Sequence, residues 1–256
     1  MKFDNRHCLV PIVCGIVLLI SAICAVFIGS VSVEPRLVWG SFLHRFHIFG
    51  GIIVPAYYDM VIWQLRLPRI VMSLLAGSAL AVCGCVFQSI FRNPICDPYI
   101  LGISSGASLG AAVAIVLGLD TLMFGVTVPA LITAVLTLLL IMGIARLRGR
   151  QSTQTLLLVG IAINFFISSL ITLLMVVCNQ EMQKIFFWTM GSLSTVLWSD
   201  VLCLLPVLIL SVGVLYLYAK DLNIMQMGTE SAQSIGVNTQ RTLYVTLIVS
   251  SLLILL

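Results

Sequence analysis

Apolar runs long enough to cross a bilayer follow one another along this chain, separated by short polar stretches where the charges collect. Crossing the hydrocarbon takes about 20 helical residues, and in lipid a helix satisfies every backbone N–H and C=O within its own segment. Charge-free windows of that kind predict six complete spans: Leu9–Val31, Ile70–Phe91, Tyr99–Leu119, Leu122–Ala145, Thr155–Cys178 and Val201–Ala219. A seventh run starts near Thr242 and reaches Leu256 as a partial span, so the chain is expected to stop inside a helix. The expected fold is all-α, a polytopic transmembrane helix bundle of six complete spans plus a partial seventh, forming one domain over residues 1–256. Lys2 and Arg6 precede the first run as in a signal peptide, but that run is too long for one and reads as a retained helix.

Composition strengthens this picture: 61% of the 256 residues are hydrophobic and 9% charged, too few charges to clothe a water-soluble surface. A net charge of +4 does not point to nucleic acid, because the basic residues form no run with interleaved aromatics. Of the eight cysteines, Cys8, Cys14, Cys24, Cys83, Cys85 and Cys203 lie in or beside apolar runs, with no CxxC and no histidine at ligand spacing. They read as free thiols acting as small hydrophobes, and no metal site is expected.

The positive-inside rule orients the bundle. An inner N-terminus places Lys2, Arg6, Arg92, Arg146, Arg148, Arg150, Lys220 and Arg241 inside, against Arg36, Arg45, Arg66, Arg69 and Lys184 outside. Residues 32–67 then form an external loop whose Trp39, Tyr57, Tyr58 and Trp63 suit a membrane interface. His44, Arg45 and His47 fall in a short amphipathic stretch of it, which reads as a solvated interfacial face rather than a haem or metal site.

Four segments carry candidate function. Arg66-Leu67-Pro68-Arg69 is expected at the outer start of the second span, where proline is tolerated in a first turn and two cations oppose the helix dipole. They are either snorkelling anchors or a docking site for an acidic partner. At the other end of that span, Pro94 and Pro98 bias Asn93 and Asp97 away from helical geometry, so Arg92, Asn93, Pro94, Asp97 and Pro98 make a tight inner turn. Gly102, Gly106 and Gly110 follow at four-residue spacing, a face that lets another helix approach closely; a phosphate loop is excluded because its lysine is missing. In the fifth span Asn164 is the most polar central residue, suited to lining a path or to bonding between helices.

The fourth segment, residues 220–241, is expected to form a cytoplasmic coupling loop. Thr229 can cap a two-turn helix over Thr229-Glu230-Ser231-Ala232-Gln233-Ser234-Ile235, preceded by Gly228. Gly236 can end it in a left-handed conformation, and beyond Val237 Asn238 can cap the next span. A helix so short does not hold itself, because nucleation outweighs the few bonds gained. Either the bundle or a cytosolic partner must hold it.

Together these residues resemble the iron-chelate, haem and cobalamin permeases of bacterial ATP-binding-cassette importers, the FecCD-type transmembrane subunits. The likeness rests on Arg66-Leu67-Pro68-Arg69, on Gly77-Ser78-Ala79-Leu80-Ala81 with Gly84, Phe87 and Gln88, and on Arg92-Asn93-Pro94 with Asp97-Pro98-Tyr99. Leu101-Gly102-Ile103-Ser104-Ser105-Gly106-Ala107, Phe187-Trp188, Met190-Gly191-Ser192-Leu193, Trp198, and Gly228 to Asn238 extend it. The resemblance implies a homodimer, or a heterodimer with a related permease, in the bacterial cytoplasmic membrane. Two cytosolic ATPase subunits would lie below it and a periplasmic or lipid-anchored substrate-binding protein above. It implies that Arg66 and Arg69 meet carboxylates of the binding protein and that the helix from Thr229 to Ile235 rests in a groove of the ATPase. ATP and Mg would sit on that partner, and no cofactor on this subunit. The resemblance also implies ten spans, so the expectation is a chain truncated at its C-terminus.

Two other classes fit less well. An ion-coupled secondary transporter needs ionisable residues at depth, and none of the six complete spans has a central Asp, Glu, Lys or Arg. An intramembrane enzyme needs a nucleophile and base or metal ligands inside the bundle, and all three histidines lie outside the spans.

Overall fold

The computed structural model describes residues 5–29, 31–45, 53–122, 124–147 and 153–255. Lys2, His47, Arg148 and Arg150 lie outside these residues, as do the side chains of Arg6 and Arg146. Every regular element among the described residues is helical: α1 (Asn5–Phe27), α2 (Pro35–Arg45), α3 (Ala56–Met60), α4 (Leu67–Phe91), α5 (Ile103–Val116), α6 (Thr127–Leu147), α7 (Thr153–Val177), α8 (Met182–Met190), α9 (Trp198–Leu217), α10 (Ala219–Gln226), α11 (Thr229–Ser234) and α12 (Thr239–Leu255). Where expectation gave six complete spans and a partial seventh, five helices among the described residues are long and apolar enough to cross a membrane, over Leu9–Phe27, Ala56–Phe91, Thr127–Ala145, Thr153–Val177 and Trp198–Leu217. The expected third span shrinks to α5, whose 14 residues rise about 21 Å, because Pro98–Leu101 forms a separate 3-10 turn and Gly118 turns the chain at the other end. The expected partial seventh is the 17-residue α12.

Much of residues 32–67, expected as an external loop, is helical among the described residues. Residues 35–45 are helical, and Ala56 opens a helical run of 36 residues that continues through a π-helical turn, Val61–Arg66, into α4. Pro68 therefore lies a dozen residues inside a helix rather than in its first turn. Proline lacks an N–H and crowds the carbonyl four residues back, which breaks an ordinary helix. Here the ladder widens first: the Leu67 amide bonds to Ile62 O, five residues back, and that wide turn accommodates the ring.

The chain divides into two compact units, residues 1–75 with 193–203 and residues 76–192 with 204–256. In the first, Val33, Val38, Val61 and Ile62 form a small core. Beside it Ser41 Oγ donates to Asp59 Oδ1 at 2.5 Å and accepts from Trp63 Nε1 at 2.8 Å. Trp63, expected at a free interface, also packs on Phe42 and lies under the Arg45 guanidinium.

The second unit is organised around α5, where Ile103, Ala111, Ala112, Ala114 and Ile115 are buried by packing that involves α6, α7 and α8. Its other helices reverse the pattern of a soluble protein: Phe165, Phe166, Tyr216 and Leu217 are exposed, whereas Thr242, Thr246, Ser250 and Ser251 of α12 are buried. Apolar side chains facing outward are stable where lipid is the solvent, and hydroxyls suit helix contacts inside the bundle. Thr246 donates to Thr242 O at 2.6 Å and Ser251 to Leu247 O at 2.5 Å, so their hydroxyls are satisfied within the helix.

Candidate functional site

In the first unit the two arginines of the Arg-Leu-Pro-Arg segment part company. Arg66 is 8% exposed, and its guanidinium donates to the carbonyls of Val26 and Val31, with Gly29 leaving room beside it. Those carbonyls belong to the end of α1 and the chain just after it, where helix acceptors have no intrahelical donor. Arg66 thus closes that end from within. Arg69 is half-buried and donates to Ser194 O, while Trp198 Nε1 donates to Trp63 O at 2.7 Å. Neither arginine stands in a first turn opposing a helix dipole, because helical structure begins at Ala56.

In the second unit α4 ends at Phe91, and Arg92 takes a left-handed φ of 50°. The turn is closed locally: Asn93 N–H reaches Gln88 O at 3.2 Å, and Asn93 Oδ1 accepts from Ile95 N–H at 3.0 Å. Asp97 caps the 3-10 turn through Tyr99 N–H at 2.8 Å, with Pro98 buried behind it. Arg92, Asn93, Pro94 and Asp97 are exposed.

Gly106 and Gly110 face α6. A Cβ on Gly106 would overlap the Thr137 hydroxyl, and one on Gly110 would overlap both the Thr133 hydroxyl and the Pro129 carbonyl oxygen. Gly102 does not share that helical face: it precedes α5 at φ 68°, beside Gly160 O and Asn164 N of α7. Asn164 is half-buried on α7 and approaches this turn through its backbone.

The segment after α9 is more structured than expected. Ala219–Gln226 is helical and is tied at both ends: Asp221 Oδ2 accepts from Thr242 Oγ1 of α12 at 3.2 Å, and Gln226 Nε2 donates to Ser89 Oγ of α4 at 2.8 Å. Gly228, at φ 133°, is the N-cap of α11, so Thr229 is its first helical residue and not its cap. The C-terminus closes by two bonds, Val237 N–H to Ala232 O and Gly236 N–H to Gln233 O, both 3.0 Å, around Gly236 at φ 93°. That pair of bonds is the closure a left-handed residue just past a helix makes available. Asn238 Oδ1 then accepts from Arg241 N–H at 3.0 Å and caps α12. Of α11 itself, only Ala232 is fully buried, while Glu230, Ser231, Gln233, Ser234 and Ile235 are exposed.

Sequence reasoning missed the Asp221–Thr242 and Gln226–Ser89 ties; the four-residue spacing of Thr242, Thr246 and Ser250 was the available signal for a polar inner face on α12. Among the described residues no group of three or more metal-ligating side chains forms, and the described cysteines are unpaired.

Residues 17–256 match the FecCD transport family. The chain belongs to that family. FecCD proteins are permease subunits of ATP-binding-cassette importers, so this chain is a transport subunit and not an enzyme. It is 35% identical over 242 residues to an ABC transporter permease protein of Bacillus subtilis, covering 92% of this chain and 68% of that one. It is 37% identical over 198 residues to the cobalamin import system permease protein of Halobacterium salinarum, covering 77% and 53%. It is 32% identical over 250 residues to the hemin transport system permease protein of Yersinia pestis, covering 93% and 70%. A solved inward-facing conformation of a metal-chelate type ABC transporter superposes with a TM-score of 0.75 at 28% identity, covering 94% of this chain and 72% of that one. The chain thus spans between about half and about seven-tenths of its FecCD relatives, and the ion-coupled alternative is set aside by family membership.

Proposed function

We propose that this FecCD subunit forms part of the path by which an iron chelate, haem or a cobalamin-like compound enters a bacterial cell, and that α11 is its mechanical link to a cytosolic ATPase. The observation that carries the reading is the build of α11. Six residues are too few for a self-sustaining helix. This one is pinned by a single buried alanine and closed at its C-terminus, while five of its neighbouring side chains are left exposed. The ties from α10 to α4 and α12 give a push on α11 a route into the spans.

In this reading the subunit works as a pair, with itself or with a related permease. Two ATPase subunits carry the ATP and Mg, and a periplasmic or lipid-anchored protein delivers the cargo. The subunit lies in the cytoplasmic membrane with its N-terminus inside, and residues 220–241 face the cytosol. Docking of the delivery protein falls to Arg69 with the exposed Arg36, since Arg66 is committed internally. Asn164 lines the path.

Co-purification tests the link. Replacing Ser231, Gln233 and Ile235 with bulky charged residues should release the ATPase from the permease. An unchanged complex with unchanged ATPase activity would remove the coupling role from α11.

A further inference from the structure

The C-terminal half of α4 carries two adjoining hollows to which the transport reading assigns no ligand. One is an apolar groove of about 370 Å³ whose walls include Ala81, Val82 and Val86 of α4, Leu215 and Tyr216 of α9, and Leu222 of α10. The other is a polar cleft of about 540 Å³ lined by Gln88, Arg92, Asn93, Pro94 and Gln226. Cys85 and Ser89 line both, so the apolar groove runs directly into the polar cleft. The Gln226–Ser89 hydrogen bond lies at their junction.

Arg92 supplies the cleft's charge. It is exposed, set by the tight turn after α4, and among the described residues no carboxylate pairs with it. Asp97, the acid nearest in sequence, caps the 3-10 turn, and Asp221 of α10 accepts from Thr242. A guanidinium beside side-chain amides suits a phosphate, which takes charge-assisted, often paired, hydrogen bonds. An adjoining apolar wall on membrane helices suits a hydrocarbon chain, and an arginine at the end of a span stands at headgroup depth.

We propose that an anionic phospholipid binds here, its phosphate on Arg92 with the amides of Gln88 and Gln226, and one acyl chain in the α4–α9–α10 groove. A polar chelate does not fit the groove, whose wall offers few donors. A lipid seated this way bridges α4 and α10, and so stiffens the segment that carries α11. The proposal needs neither the cargo nor the ATPase to be as argued above.

Native mass spectrometry of the full chain in neutral detergent, with dioleoyl phosphatidylglycerol or dioleoyl phosphatidylcholine added, tests it. The expected result is about tenfold stronger retention of phosphatidylglycerol, because phosphatidylcholine carries the same phosphate but its quaternary ammonium offsets the negative charge that Arg92 attracts. Arg92→Gln should bring the two lipids together. Val82→Trp, which fills the groove and spares the charge, should weaken both. Arg241→Gln, at another exposed cation of the same polar region, should change neither. The proposal is overturned if the preference survives Arg92→Gln, if Arg241→Gln abolishes it equally, or if retention survives Val82→Trp. It is also overturned if glycerol 3-phosphate competes as well as the lipid, since the site then takes phosphate alone.

Discussion

Arg66 and Arg69 are three positions apart in the sequence and end in different roles. Arg66 donates to two carbonyls that would otherwise be left in an apolar setting, and each charge-assisted bond of that kind contributes about 1.5 kcal/mol or more. Arg66→Met should therefore lower unfolding stability in micelles by roughly 3 kcal/mol, and Arg66→Lys should recover less than half, because one ammonium does not span two acceptors as a fork does. Arg69→Glu removes one such bond, to Ser194 O, and should cost about half as much as Arg66→Met. Its further effect belongs to docking, where it should weaken binding-protein affinity several-fold at low salt and much less above about 0.5 M salt, where the Debye length is only a few ångströms. Equal loss at both salts would show that Arg69 acts through the fold. The local pattern could not separate these two residues. What distinguishes Arg66 is a pair of carbonyls 35 and 40 residues away, and no periodicity around position 66 carries that information.

At the scale of the element, what could be read in advance was whatever depends on neighbours in the chain. The turn at Arg92-Asn93-Pro94 follows from the restriction that proline places on the residue before it. The end of α11 at Gly236 and the cap at Asn238 follow from backbone preferences alone. The start of the long α3–α4 run was not readable, because a proline inside a helix is ordinarily a break and only the π-turn before it removes the conflict. The glycine spacing was readable and its meaning only partly so: Gly102 belongs to a turn, while Gly106 and Gly110 meet α6. The two helical glycines should differ on substitution. A methyl at Gly106 meets the Thr137 hydroxyl, which can rotate away, and its Cβ at 2.8 Å, which cannot, but stays 3.2 Å from the nearest carbonyl oxygen. One at Gly110 overlaps the Pro129 carbonyl oxygen, which is fixed in the helix. Gly110→Ala should thus cost about 1–3 kcal/mol by overpacking and Gly106→Ala clearly less, compared by thermal or denaturant unfolding in the same detergent. A reversed order would mean that α5 and α6 do not meet as described.

For the whole molecule the open quantity is the number of crossings, because parity decides which side of the membrane α11 faces. With α1, α4, α5, α6, α7 and α9 all crossing, an inner N-terminus returns α11 to the inside. The weak member is α5, whose helix rises about 21 Å against a hydrocarbon thickness of about 30 Å. The 3-10 turn at Pro98–Leu101 adds about 8 Å of chain, and the sides of α5 are packed on neighbouring helices rather than on lipid, so a short helix can still connect the two faces. The charges favour the same count. Were α5 not to cross, Arg146, Lys220 and Arg241 would move outside and the cation excess within would disappear. Glu230→Cys, in a background without other reactive thiols, reads the parity directly, since residue 230 is exposed on α11. It should resist a membrane-impermeant maleimide in intact cells and react fully in inside-out vesicles. Labelling in intact cells would place α11 beyond the reach of any cytosolic ATPase.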